Sequence, residues 1–142
     1  MIVEVISTSG QDLALRNALI DAELPVDDIG DTGRSFFRIE RDGELVGYAG
    51  YELYGTDALI RSIVVPLSER GKGLGRVVTE ALLEQVHARG GRRAYLLTTS
   101  AADFFQHLGF TPIPRSEAPQ AILGTRQASS ICTSAAMLSR EI

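Results

Sequence analysis

The chain has 142 residues, of which 44% are hydrophobic and 23% are charged, and its formal net charge is −4 at pH 7. This length predicts a single domain spanning residues 1–142. The acidic balance excludes most nucleic-acid binders, which carry a basic excess. The single cysteine, Cys132, cannot form an internal disulfide, and no run of the sequence resembles a signal peptide or a membrane-spanning helix. We therefore expect a cytoplasmic protein without nucleic-acid or membrane partners.

The first residues predict a strand and a helix followed by a loop. Residues 2–6 are apolar enough for a short strand, and residues 11–22 carry apolar side chains at helical spacing. Ser9 is the candidate N-cap of this helix because serine before an apolar periodic segment is a typical start signal. The polar segment 23–34 predicts a loop.

An antiparallel meander is predicted next. Residues 35–40 and 45–53 have strand-like composition and flank Asp42-Gly43, which is the strongest short signal for a hairpin. Residues 58–65 predict a third strand after a turn.

The rest of the chain alternates helices and strands. The predicted elements are a helix (74–89) stopped by Gly90-Gly91, a strand (93–98), a helix (101–108), a strand (110–113), a weak helix (117–123) and a final strand (134–140). Thr98, Thr99 or Ser100 is expected to cap the helix at 101–108. The order predicts an α+β fold, with a mixed, mostly antiparallel sheet flanked by helices and one parallel crossover.

A glycine-rich loop lies between the strand at 58–65 and the helix at 74–89. Its sequence SERGKGLGR (68–76) is not a nucleoside-triphosphate loop, because Lys72 is followed by Gly73 rather than Ser or Thr. It is not a dinucleotide fingerprint either, since Arg76 occupies the place of the third glycine. A helix N-terminus with nearby glycines and basic residues is typical of an anion site. The alternative is a tight turn with solvated basic side chains.

Two motifs in order resemble the GCN5-related N-acetyltransferase family. The pattern R/Q-x-x-G-x-G/A is matched by Arg70, Gly73 and Gly75, and FFQHLGF (104–110) is similar to the family's F-Y-x-x-L-G-F. Together they cover about residues 58–110. Across nearly the whole chain, segments including LLTTSAADFFQHLGF resemble the subgroup encoded with arsenic-resistance genes. Relatives of that subgroup include enzymes that acetylate glutamate-like phosphinate or arsinate antibiotics.

The resemblance implies acetyl-CoA as co-substrate and a strand–loop–helix cradle that holds it. The pantetheine arm would pair with the backbone at residues 63–65, the diphosphate would bind residues 71–76, and an amide N–H of Val64 or Val65 would stabilise the oxyanion. The implied cofactor-binding residues are Ile63, Val64, Val65, Arg70, Gly71, Lys72, Gly73, Leu74, Gly75, Arg76 and Phe105. The alternative function is a CoA-binding sensor that has lost the chemistry, and a homodimer is compatible with the family's habits.

Phe105 departs from the family pattern, which often has a tyrosine there that protonates the leaving thiolate. A thiol has a pKa of about 8.5, so the leaving group needs little acid assistance, and water, Tyr48 or Tyr54 could supply the proton. An α-amine with a pKa of about 7.7–8.0 needs no dedicated base, and water reaching Glu44 or Glu52 would suffice. A small amino-acid-like acceptor therefore suits the chain better than a lysine side chain.

Three arginines are candidates for binding an anionic group of the acceptor. Arg38 and Arg61 interrupt apolar strands, and Arg126 lies in the C-terminal segment. A guanidinium can hold a carboxylate or phosphonate-like group bidentately. The alternative for the two strand arginines is a solvated sheet face or a structural ion pair. No cluster of His, Cys and Asp has metal-ligand spacing, so we expect no metal.

Overall fold

The computed structural model describes residues 2–142, apart from the side chain of Leu67. The strands and longer helices are β1 (Val3–Thr8), α1 (Leu13–Asp21), β2 (Ser35–Arg41), β3 (Glu44–Tyr54), β4 (Asp57–Val64), α2 (Leu74–Ala88), β5 (Arg93–Thr98), α3 (Ala102–His107), β6 (Thr111–Ile113), α4 (Gln120–Leu123) and β7 (Ala136–Glu141). Short 3-10 turns cover Leu67–Glu69 and Arg115–Glu117, and a π-helical turn covers Gln127–Ile131.

The strands form one seven-stranded sheet in the order β1-β2-β3-β4-β5-β7-β6. Each neighbouring pair is antiparallel except β4 and β5, which are parallel. The predicted α+β fold with one parallel crossover is thus confirmed. The β2–β3 hairpin turns at Asp42 and Gly43, both with positive φ (53° and 83°), as a tight two-residue turn requires.

Helices cover both faces of the sheet. On one face, α2 buries apolar side chains that are spaced one helical turn apart in the largest core cluster: Leu74, Val78, Leu82 and Val86. On the other face, Leu15 and Leu19 of α1 pack in a second cluster, and α4 packs in a third. Each fully buried aliphatic side chain contributes about 1.5–3 kcal/mol. No helix among residues 2–142 combines the length and apolarity needed to cross a bilayer.

The N-cap of α1 is Asp12, and the prediction of Ser9 was wrong. The Asp12 carboxylate accepts hydrogen bonds from the amides of Ala14 (2.9 Å) and Leu15 (3.3 Å), whereas the Ser9 hydroxyl accepts only from the Gln11 amide (3.1 Å). The Thr8 hydroxyl also donates to Asp12 and lowers the pKa of its carboxyl. The helix starts later than expected because Asp12 carries the stronger acceptor.

Candidate functional site

Strands β4 and β5 separate after a short region of parallel pairing. Their register runs from Asp57 opposite Arg93 to Leu59 opposite Tyr95 and stops there. Beyond it the ends of the two strands bound a space of about 540 Å³, which we call the splay cleft. It is lined by the strand ends at 60–63 and 96–98 and by residues from both faces of the sheet. This volume suits a small-molecule site.

A β-bulge at Ser62 sets the directions of the residues at the end of β4. The register with β3 shifts between Gly50 opposite Arg61 and Tyr48 opposite Val64, which places one extra residue in β4. Ser62 has φ of 58°, an uncommon value for a residue with a side chain. The extra residue turns Ile63 toward the α2 core, while Val64 packs in the α1 cluster.

The glycine loop and α3 enclose a second space of about 690 Å³, which we call the loop groove. Gly73 caps α2 with φ of 73° and offers no side-chain hydrogen bond to the first helical amides. Those amides have no partner within the helix and are therefore available to an anion. Arg76 lines this groove, and Lys72 is exposed and pairs with Glu69 at 2.9 Å. Arg70 donates through Nε to the carbonyl oxygen of Val65 (2.8 Å), which ties the loop to the end of β4.

The two phenylalanines of FFQHLGF have different positions. Phe104 is 40% exposed and lines both the loop groove and the splay cleft. Its ring covers Gly75 so closely that a Cβ there would lie 2.8 Å from Phe104 Cζ. Phe105 is buried in the main core and also lines the splay cleft. The Thr98 hydroxyl accepts from the Ala101 amide (2.9 Å), but the N-cap of α3 is Ala101, which makes no side-chain cap hydrogen bond, so the prediction that residue 98, 99 or 100 caps this helix was wrong.

Arg61 is held in a buried cluster of charges. Its guanidinium donates to both oxygens of Asp28 (2.5 Å each) and to Glu52 (3.0 Å), and both carboxylates are 0% exposed. Burial alone would raise the pKa of Asp28, but Arg61 and Arg34 outweigh it and hold that pKa below its ordinary value. The loop at 23–34 is therefore tied to the sheet by the buried Asp28. The polar sequence of this loop predicted no such burial.

The structure does not bring the three predicted arginines together. The guanidinium of Arg61 donates to Asp28 and Glu52, so Arg61 forms the structural ion pair that was the alternative to binding the acceptor. Arg38 pairs with Glu40 (3.1 Å) and lies over the Tyr48 ring, outside the lining of the splay cleft. Arg126 is exposed and pairs with Asp31 (3.0 Å), next to the cleft-lining Gln127.

The candidate proton-transfer residues also lie outside the cleft lining. Glu52 is fully buried and accepts a hydrogen bond from the Tyr54 hydroxyl (2.5 Å). Burial and this hydrogen bond raise the pKa of Tyr54 to about 12. Tyr48 is buried in the α1 cluster, where burial raises its pKa. Glu44 is exposed at the start of β3, beside the hairpin turn.

Glu23 and Gln127 also line the cleft, although their local sequence does not predict it. Glu23 follows α1 with φ of 58° and is exposed at the cleft. Gln127 is 6% exposed and begins the π-helical turn. No local pattern marks either residue, because each reaches the cleft through long-range packing.

A family model and two curated relatives match this chain. A family model described as the acetyltransferase (GNAT) family matches residues 9–110. An uncharacterised N-acetyltransferase of Chlorobaculum tepidum is 30% identical over 98 residues, which cover 68% of this chain and 63% of that protein. Another from Escherichia coli is 33% identical over 90 residues, covering 57% and 53%. The matched segment thus spans less than two thirds of each curated relative.

Solved structures share the fold. The N-acetylglutamate synthase of Neisseria gonorrhoeae, complexed with coenzyme A and N-acetyl-glutamate, has a TM-score of 0.74 at 18% identity, covering 99% of this chain and 35% of that one. Tetrahymena GCN5 has a TM-score of 0.77 at 14% identity, covering 100% and 96%. At these identities the likeness concerns the architecture alone.

Proposed function

Because the chain belongs to the acetyltransferase (GNAT) family, we propose that it transfers an acetyl group from acetyl-CoA to the amine of a small acceptor. The observation that carries this proposal is the junction of the two spaces at the parallel strand pair. Val65, Gly75, Ala101 and Phe104 line both the loop groove and the splay cleft. One elongated molecule could therefore lie across the start of α2 with one end between the strands.

The residues present fit acetyl-CoA in this position. The uncapped start of α2 would bind the diphosphate, with charge from Lys72 and Arg76. Gly75 leaves room for the Phe104 ring beside the start of α2, since a larger side chain at this position would meet that ring. The pantetheine arm would pair with the backbone at residues 63–65, because the pairing of β4 with β5 ends before these residues.

The transfer is proposed to be direct. The amine nitrogen attacks the thioester carbonyl carbon, a C–N bond forms, the C–S bond breaks, the amine loses a proton and the thiolate leaves. An amide N–H of Val64 or Val65 would stabilise the oxyanion. Phe105 supplies no proton, and Tyr54, with a pKa of about 12, is a weak donor. Water is therefore the proton donor that this site favours.

The acceptor is proposed to be amino-acid-like, with an anionic group. The sequence resemblance to the arsenic-resistance subgroup supports this, and so does the N-acetyl-glutamate named for one structural neighbour. Arg126 is the predicted arginine best placed for the anion, because its partner Asp31 is exposed and surface ion pairs are weak. A link to arsenical or phosphinothricin-type resistance is part of the same proposal.

Release of free CoA thiol tests the function. We expect glutamate-like amino acids, phosphinates or arsinates to give a kcat/KM at least about tenfold above that of a lysine peptide, because a lysine amine has a pKa of about 10.4. Comparable rates on the peptide would refute the small acceptor. Tight acetyl-CoA binding without turnover of any amine would favour the sensor alternative, for which the missing hydroxyl at Phe105 is the supporting observation. Absence of CoA binding would refute both.

A further inference from the structure

Gln127 is a polar side chain buried in the wall of the splay cleft. It is 6% exposed, lines the cleft, and its Oε1 atom has no hydrogen-bond partner among residues 2–142. Burying a polar atom without a partner is unfavourable, and native structures keep few such atoms. The carboxamide of Gln127 therefore requires an explanation.

The polar groups around Gln127 are satisfied locally. The Thr125 hydroxyl donates to the Ile122 carbonyl (2.7 Å) and accepts from the Ala128 amide (3.2 Å). The hydroxyls of Ser129 and Ser130 donate to carbonyl oxygens one turn earlier (2.8 and 2.9 Å). The segment is thus well hydrogen-bonded, and the unpaired atom belongs to the side chain at the cleft.

The other unpaired buried atom in the described structure is not comparable. Arg34 Nε has no hydrogen bond, but it lies 3.7 Å from Glu52 Oε2 and so has an ionic partner. Gln127 Oε1 has neither a hydrogen bond nor a charge pair within residues 2–142.

Backbone geometry singles out the same position. The Cys132 amide donates to the Gln127 carbonyl (2.6 Å) across five residues, which defines a π-helical turn. Such turns are rare and occur frequently at functional sites. The turn buries Gln127 and Ala128 while Ser129 and Ser130 remain exposed.

The charged groups at this cleft leave an acceptor available rather than a donor. Glu23 is the one carboxylate among its described lining residues, and Arg61, the one cation, is engaged by Asp28 and Glu52. Five hydroxyl side chains in the lining can donate or accept, so the charged groups decide the preference, and they favour an ammonium at this end of the acceptor.

We propose that the carboxamide oxygen of Gln127 binds the amino group of the acceptor, so that this end of the acceptor is a primary amine that arrives as an ammonium. The proposal rests on the acetyltransferase function proposed above. Oε1 is itself buried, and rotation about the last side-chain bond, which exchanges Oε1 and Nε2, would bring the oxygen to the cleft. Gln127 is a positioning residue: a carboxamide does not titrate at neutral pH and transfers no proton.

The test is the Gln127→Leu variant, with Gln120→Leu as matched control. Gln120 lies in the same segment but is exposed and outside the cleft lining. In Q127L we expect the acceptor KM to rise at least about tenfold while the acetyl-CoA KM stays within about twofold. The thermal midpoint should stay equal or rise, because leucine removes an unpaired polar group. An unchanged acceptor KM, an equal rise of both KM values or a lower midpoint would overturn the proposal.

A second measurement does not depend on turnover. Cys132 is the chain's one cysteine, is partly buried and lines the same cleft, so a bound amine should slow its alkylation. Protection of the parent protein that is lost in Q127L supports the role of Gln127, even if no CoA is released and the proposed function fails. Equal protection of both proteins, or no protection of the parent, overturns the role of Gln127.

Discussion

Replacing Arg61 by methionine should destabilise the protein strongly. The Arg61 side chain is 1% exposed, and its partners Asp28 and Glu52 are 0% exposed. R61M removes the nearer of the two cations that compensate these buried carboxylates and leaves Arg34, and breaking a buried ion pair in this way costs about 3–5 kcal/mol. For 142 residues, with an unfolding entropy of about 2.1 cal/mol/K per residue, the thermal midpoint should fall by about 10–17 °C.

The stability that R61M loses relative to the parent should become smaller as the pH falls. In the parent, the pKa of Asp28 lies below its ordinary value, so its stabilising contribution is present at neutral pH and is lost as pH falls through the lowered pKa. Without Arg61, Arg34 alone opposes the effect of burial, so the pKa of Asp28 should rise and the folded variant should take up a proton at higher pH. The difference in free energy of unfolding between the two proteins should therefore shrink as pH falls from 7 toward 4.

Urea unfolding at several pH values measures both effects. Arg126→Met is the matched control, because its pair with Asp31 is exposed and its loss should leave the midpoint nearly unchanged. If R61M kept its stability at pH 7 but lost acceptor turnover, Arg61 would be a substrate group rather than a structural one, and this reasoning would be refuted.

Three further predictions concern single residues. Asp12→Ala should cost about 0.5–2 kcal/mol of stability and Ser9→Ala much less, since Asp12 caps α1; equal losses in urea unfolding would contradict this assignment. Gly75→Val should raise the acetyl-CoA KM at least about tenfold, because the new side chain lies where the diphosphate is proposed to approach the start of α2. The thermal midpoint should change little, since the side chain displaces only the exposed Phe104 ring. An unchanged KM would place the diphosphate elsewhere. Phe105→Tyr should change kcat by less than about tenfold near pH 8, below the roughly 10²–10⁴-fold range of general-acid effects, because a thiol with a pKa of about 8.5 leaves readily; a hundredfold rise would show that the thiolate does need a proton donor.

Local signals in the sequence determined most of the secondary structure and the loop groove. Asp42-Gly43 predicted a tight hairpin, which positive φ at both residues confirms. Gly90 predicted the end of α2 and adopts positive φ there, as does Gly73 at its start. These conformations depend on a residue and its immediate neighbours, because only glycine and a few polar residues tolerate positive φ. The same reasoning predicts an anion site at the start of α2, and this stays a prediction.

Contacts between distant residues were decided only by the tertiary structure. The pattern of apolar and polar residues along β4 could not show whether Arg61 binds a ligand or pairs with a carboxylate. Its main partner, Asp28, is 33 residues away in the sequence. Likewise, nothing near Gln127 in the sequence predicts a buried carboxamide, because its burial depends on how the π-helical turn packs over the cleft. The sequence alone thus determined most of the elements and the glycine-rich loop before α2 through local backbone preferences. The tertiary structure decided which charges are neutralised and which polar group remains unpaired, because burial and ion pairing depend on residues that only folding brings together.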